Sequence, residues 1–133
     1  MINFWAFNIY LCFEIQKNIM AEIVEQEEEL RNIYDHLHQL FEEQEYEKLQ
    51  EELTEMEEVE AADFLSELDI DDAFLILNRL QPEFRAEIFA NFDHYLQRKL
   101  VEYFSPRELA DLLMDMSSDD RVDLFQNLSV DIQ

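Results

Sequence analysis

A repeat of twelve residues runs through the second half of the chain and narrows the folds that the sequence can adopt. From residue 60 onward the sequence divides into six consecutive blocks of twelve, and three positions in each block are apolar in every copy. The first position holds Phe64, Ile76, Ile88, Leu100, Leu112 and Leu124. The second position directly follows the first, and the third position lies four residues after the first. Apolar residues with this spacing share one face of a helix, so each block predicts a short amphipathic helix.

A polar residue follows the third apolar position of each block and predicts where the next helix begins. These residues are Asp69, Gln81, Asp93, Ser105, Ser117 and Ser129. Most are good N-cap residues, whose side chains accept hydrogen bonds from free amides. The pairs Asp69–Asp72, Ser105–Glu108 and Ser117–Asp120 have the spacing of a capping box. Pro82 and Pro106 each follow a cap, where the missing N–H costs nothing. Each unit therefore predicts a helix of roughly nine or ten residues, about 15 Å long, that begins at a cap.

Because one such helix buries only a single stripe, several must pack together to be stable. The prediction is an all-α chain in which short antiparallel helices stack as an α-solenoid, with a helix pair as the structural unit. The pattern continues more weakly backwards through residues 37–56, and residues 22–43 predict one longer acidic helix that would cover the open end of the stack. A coiled coil is not favoured for the blocks, because its heptads would not restart at a cap every twelve residues.

Composition excludes several classes of function. The chain has no glycine, which Walker-type and Rossmann-type nucleotide loops require. Its formal net charge is −24, with 33 acidic and 9 basic residues. Such a surface repels nucleic acid and anionic membranes and favours cations or basic protein surfaces as partners. For any single acidic residue, the ordinary interpretation is a solvated position that keeps the protein soluble.

Residues 1–19 differ in character from the rest of the chain. They are apolar and aromatic, and the segment from Phe4 to Phe13 is too short to span a bilayer. A basic region and a cleavage site typical of a signal peptide are missing, so no membrane insertion is expected. Met20 immediately precedes the acidic helical sequence. We therefore predict that Met20 is the true start, that residues 1–19 lie outside the fold, and that residues 20–133 form the domain. The single cysteine, Cys12, fits a reducing cytosol.

No catalytic or transition-metal motif is present, so the sequence predicts no enzyme. Neither zinc-ligand spacing nor a G-x-S-x-G elbow occurs. The adjacent acids Asp71–Asp72 and Asp119–Asp120 stand at predicted helix N-termini, where the helix dipole explains them without a ligand. Hard cations such as Mg²⁺ take carboxylates and water as ligands. Composition alone nevertheless favours a solvated acidic face over a metal sensor.

Three blocks carry a resemblance to a known family. "QPEFRAEIFANF", "SPRELADLLMDM" and "SSDDRVDLFQNL" resemble the amino-terminal cytoplasmic domain of MgtE-type magnesium transporters, over about residues 22–130. The flagellar motor-switch protein FliG has a related superhelix, which is right-handed. The resemblance therefore implies a right-handed α-solenoid. An alternative function, from the same similarity, is a FliG-like scaffold for protein interactions without a metal.

The MgtE resemblance also implies partners, a metal and its ligands. In that family the solenoid is followed by a pair of CBS domains and a transmembrane pore domain, none of which lies within these 133 residues. Transporters of that family work as homodimers, and Mg²⁺ bound between their cytoplasmic parts favours the closed pore. By motif, the implied Mg²⁺ ligands are Glu87 in "RAEIF" and Asp119 and Asp123 in "DDRVD". The alternative roles of the two aspartates are a helix N-terminal acid and an ordinary exposed acid. The implied location is cytoplasmic.

Overall fold

A computed structural model describes residues 3–129, and within that range it contains eight helices and no strand. The all-α prediction is confirmed. The helices are α1 (Phe4–Glu42), α2 (Tyr46–Thr54), α3 (Glu58–Ser66), α4 (Ile70–Leu77), α5 (Pro82–Asn91), α6 (His94–Val101), α7 (Pro106–Asp115) and α8 (Ser118–Ser129). The chain divides into two compact units, residues 1–42 and residues 43–133.

In the second unit, helices α4 to α8 each begin directly after a predicted cap. Ser105 and Glu108 form a complete capping box, in which the Glu108 amide donates to Ser105 Oγ (3.2 Å) and the Ser105 amide donates to Glu108 Oε2 (2.9 Å). Asp93 Oδ1 accepts from the Leu96 amide at 2.7 Å, and Ser117 Oγ accepts from the Asp120 amide at 3.2 Å.

Two predicted caps differ from the structure. Asp69 accepts no hydrogen bond from the amides of α4, so the capping box predicted for Asp69 and Asp72 is wrong. Its backbone (φ −59°, ψ 151°) nevertheless leaves the helical region and turns the chain there. Gln81 likewise has no capping hydrogen bond from its side chain, and Pro82 fixes the first turn of α5 instead. Ser129 is the last residue of α8, and the repeat predicted after it lies outside the described residues.

The predicted core positions are buried to different degrees. All six residues of the first apolar position have 3% or less of their surface exposed. At the second position, Leu65, Leu77 and Phe89 are fully buried, whereas Phe125 is 56% exposed. The repeat thus identifies the buried face of each helix from α3 to α8. Fewer of the predicted core positions are buried in α8 than in α3 to α5.

Contacts in the second unit run mainly between alternate helices, although α3 also contacts the adjacent α4. The most extensive join α3 to α5 and α5 to α7, while α4 contacts α6 and α6 contacts α8. Odd-numbered and even-numbered helices therefore form two rows. The rings of Phe74 and Phe104 meet edge to face at 5.0 Å, and Phe89 and Phe104 at 6.1 Å, which links α4 and α5 to the end of α6. The superhelical twist and its right hand stay predictions.

Buried polar groups in this unit are paired. The half-buried guanidinium of Arg85 donates to the carbonyls of Leu77 (3.1 Å), Asn78 (2.9 Å) and Leu80 (2.8 Å), which satisfies the C-terminal end of α4. The side chain of Gln97, which is buried, donates to the Phe89 carbonyl at 3.0 Å. Twelve-residue periodicity does not predict these contacts.

The first unit is a single helix of 39 residues, α1. The predicted helix 22–43 is therefore the C-terminal part of a longer helix that begins at Phe4. No glycine or proline interrupts it, since the two prolines lie at 82 and 106. No helix end occurs at Met20, and a domain start at that residue stays a prediction. After α1, Gln44 adopts a left-handed backbone (φ 61°), a conformation that more often falls to glycine.

Within residues 3–129, neither α1 nor any shorter helix carries an apolar stretch long enough to cross a bilayer.

Candidate acidic site

Three acidic side chains from three helices line one shallow surface cavity. Glu58 is the first residue of α3, Glu87 lies in α5, and Asp120 is in the first turn of α8. The cavity has a volume of about 300 Å³, and Ala90 and Asn91 complete its lining. Because α3 packs against α5, the start of α3 comes beside the outer face of α5. The closeness of Glu58 and Glu87 therefore depends on the row of odd-numbered helices, while Asp120 comes from α8 of the other row.

A second cavity adjoins the first along Glu87 and Asp120. It has a volume of about 380 Å³ and is also lined by Ala86, Asp115, Met116 and Ser117. Asp115 is the last residue of α7, and Ser117 is the cap of α8. Because only two residues connect α7 to α8, the carboxylate of Asp115 lies at the cavity that Glu87 and Asp120 also line.

Glu58 and Glu87 line the same cavity, and the interaction between their carboxyl groups changes the chemistry of Glu87. The pKa of Glu87 is raised above its ordinary value, first by partial removal of water, then by the hydrogen bond with Glu58, and then by the negative charges of Glu58 and Glu83. Two carboxyl groups can form a hydrogen bond only if one of them carries a proton. A bound cation would remove the same repulsion without a proton.

The three predicted ligands do not come together. Asp119 is exposed in the first turn of α8 and lines neither of the cavities beside Glu87. Asp123 lines a different cavity, of about 450 Å³, together with His94, Arg98, Gln126 and Asn127. The structure instead places Asp120, the neighbour of Asp119, beside Glu87. The ligand roles of Glu87, Asp119 and Asp123 stay predictions.

Sequence reasoning did not identify Glu58 or treat Asp120 as more than a helix-terminal acid. Glu58 precedes the first regular block, and no short motif joins it to Glu87, which lies 29 residues later. The signal that links them is the packing of alternate helices, and this becomes visible only in three dimensions.

The described part of the chain does not bring together a full set of side-chain metal ligands. Among residues 3–129, no group of three or more His, Cys, Asp or Glu side chains is close enough to hold a metal ion. One or two carboxylates with several waters are, however, the usual protein ligation of Mg²⁺. The Glu58–Glu87 pair fits that chemistry as a loose, hydrated site.

Comparison with known protein families gives a match over more than half of the chain. The family model described as the MgtE intracellular N domain matches residues 56–133. That range contains α3 to α8 and all three acids of the first cavity. No curated protein and no solved structure matches the chain.

Proposed function

Since the chain belongs to the family of MgtE intracellular N domains, we propose that it is the regulatory, non-catalytic domain of a magnesium transporter or channel. In this role it senses intracellular Mg²⁺ through carboxylates on its surface and favours the closed pore when the ions are bound. Its partners are the CBS domains and the pore domain of such a transporter, which acts as a homodimer, and its location is cytoplasmic.

The observation that supports this proposal best is that Glu58, Glu87 and Asp120 line one cavity. Near neutral pH, ionised carboxylates that line one cavity repel each other, and the pKa of Glu87 is raised first by partial removal of water and then by its interaction with Glu58. A divalent cation between them replaces repulsion with attraction. Asp120 adds a third negative charge at the same cavity. Glu87, which was already implied by the family motif, is therefore the proposed central ligand, with Glu58 and Asp120 beside it.

Regulation follows from the charge of the whole surface. A domain with a formal net charge of −24 repels another acidic surface, and bridging divalent ions stabilise the docked state. Asp119 and Asp123, both exposed on α8, are proposed to face such bridging ions in the docked state. Ion binding shifts the docking equilibrium only as far as the docked state binds Mg²⁺ more tightly than the free state does.

A titration of the chain with Mg²⁺, followed by amide NMR shifts, tests the site. We expect saturable shifts centred on Glu58, Glu87 and Asp120, with a midpoint on the order of millimolar, because a hydrated site with few ligands binds weakly. Glu87→Gln should abolish the saturable component. Glu51→Gln, which removes one exposed charge from α2, is the matched control and should leave it unchanged. Small, uniform shifts in the unmodified chain would contradict a defined site.

A protein-interaction scaffold is the second candidate function, and exposed apolar side chains favour it. Met114 of α7 is 78% exposed, and Val122 and Phe125 of α8 are also exposed. Such side chains offer a docking surface that needs no metal. Capture of a protein partner by the unmodified chain in the presence of EDTA, lost with Met114→Glu, would favour the scaffold over the Mg²⁺ sensor.

A further inference from the structure

Helix α1 carries a continuous seam of uncharged residues with heptad spacing. Successive seam residues lie alternately four and three positions apart, beginning with Trp5, Ile9, Cys12, Gln16, Ile19 and Ile23. The same spacing continues to Leu40 without a charged residue. This average spacing of 3.5 residues is the pattern by which one helix packs along another.

Most of this seam has no cover in the single chain. Leu37 and Leu40, at its C-terminal end, are buried, whereas Trp5 is 74% and Ile9 59% exposed. Twelve large apolar side chains between residues 4 and 24 are exposed. Seven of them lie on the seam or at the positions that flank it. At roughly 100 Å² each, these seven present about 700 Å² of apolar surface, close to the about 800 Å² that each partner buries in a standard protein interface.

Charge identifies what covers the seam. Residues 1–19 contain one acid, Glu14, and one base, Lys17, so this segment is formally neutral and the whole charge of −24 lies in residues 20–133. Both charged residues lie off the seam. Two copies of the protein therefore repel each other through most of their surface but can meet through this segment. We propose that, in the chain as it begins at Met1 and not in a form that begins at Met20, residues 5–23 of α1 pair with the same segment of a second copy of the chain, in antiparallel orientation.

The acidic residues that follow decide the orientation. In a parallel pair in register, Glu22 would lie across the seam from Glu27 of the second copy, which is a repulsive contact at a flanking position. In an antiparallel pair centred on residue 14, Trp5 faces Ile23 and Ile9 faces Ile19. The overlap of residues 5–23, about 28 Å long, then leaves the acid-rich residues 25–29 outside the contact.

Sedimentation equilibrium of the full chain tests the pairing. We expect a mass twice the 16.1 kDa of the single chain. Ile9→Glu or Ile19→Glu places a charge in the seam and should raise the dissociation constant at least about tenfold. Phe7→Glu is the matched control, because it makes the same kind of change on the opposite face of the same helix and should alter the constant by less than about twofold. A monomer in the unmodified chain, or equal effects of Ile9→Glu and Phe7→Glu, would overturn the proposal.

The position of Cys12 gives a test of orientation. In the antiparallel pair Cys12 faces Gln16 of the second copy, so mild oxidation should crosslink the Gln16→Cys variant and not the unmodified chain. A rapid Cys12–Cys12 crosslink in the unmodified chain would instead show a parallel pair in register, since only that arrangement brings the two Cα atoms within disulfide range. A monomer that sediments with phosphatidylcholine vesicles would show that lipid, and not a second copy, covers the seam.

Discussion

Helix α1 and the helices of the second unit solve the same problem, burial of an apolar stripe, in opposite ways. In residues 58–129 the chain is divided into helices of 8 to 12 residues, and the caps allow each stripe to face neighbouring helices. In α1 no glycine or proline interrupts the 39 residues, so its apolar stripe runs along one long helix. Between residues 5 and 23 the large apolar residues of this stripe are exposed in the single chain. Caps therefore determine whether an apolar pattern is buried within the chain or left exposed on a long rod.

The largest expected difference between the two regions is the loss of unfolding free energy when a buried phenylalanine of the second unit, or an exposed phenylalanine of α1, is replaced by alanine. Phe89→Ala removes a fully buried ring that packs against Phe92 and Phe104, and should lower the free energy of unfolding by about 3–5 kcal/mol. Phe7→Ala removes a ring of α1 that is 54% exposed and should change it by less than about 0.5 kcal/mol. Urea unfolding followed by circular dichroism at one protein concentration measures both. Similar losses for the two variants would show that α1 is as tightly packed as the second unit.

A smaller effect should separate the caps from one another. Ser105→Ala removes the hydrogen bond that Ser105 Oγ accepts from the Glu108 amide, while the Ser105 amide can still donate to Glu108, and the change should cost about 1 kcal/mol. Gln81→Ala changes the equivalent position before α5, where the side chain makes no capping hydrogen bond, and should cost much less. The same unfolding measurement compares them. An equal loss for the two variants would mean that the backbone turn, and not the side chain, sets the helix start.

The fold of the second unit could be predicted because its information is local. The polar residue after each stripe marks a helix start within one residue for α4 to α8, and the first apolar position is buried in every block. The two predictions that were wrong also came from local features of the sequence. Asp69 has a good cap residue type but makes no capping bond, and the start of α1 was placed at residue 22 because its acidic part looked different from its apolar part. A change of composition does not end a helix unless a cap or a breaker is present.

The candidate site was less predictable, because it depends on contacts between helices distant in sequence. Glu87 was found from its motif, but its hydrogen-bonded neighbour Glu58 comes from another helix of the same row. Asp119 and Asp123, four residues apart, were predicted as ligands together with Glu87, and these roles stay predictions; the structure places Asp123 in a different cavity and Asp120 beside Glu87. A spacing of four residues on α8 identifies which acids share a face of that helix. It does not tell which of them faces α5.

The smallest effect should appear in the pH dependence of Glu87. Its pKa is raised in the folded chain by loss of water, by the hydrogen bond with Glu58 and by nearby negative charges. The folded state therefore binds the proton more tightly than the unfolded state does. The stabilisation is complete below the ordinary pKa of a glutamate and is lost as the pH rises through the raised value.

Glu87→Gln isolates this contribution, because the amide cannot ionise. Relative to the unmodified chain, the variant should gain stability as the pH rises from the ordinary pKa of a glutamate through the raised pKa of Glu87, and the gain should level off once Glu87 is ionised. Glu51→Gln removes an exposed charge from α2 of the same unit and should show no such rise. Unfolding free energies at several pH values, without divalent ions, give the comparison. A rise of equal size in Glu51→Gln would place its origin elsewhere.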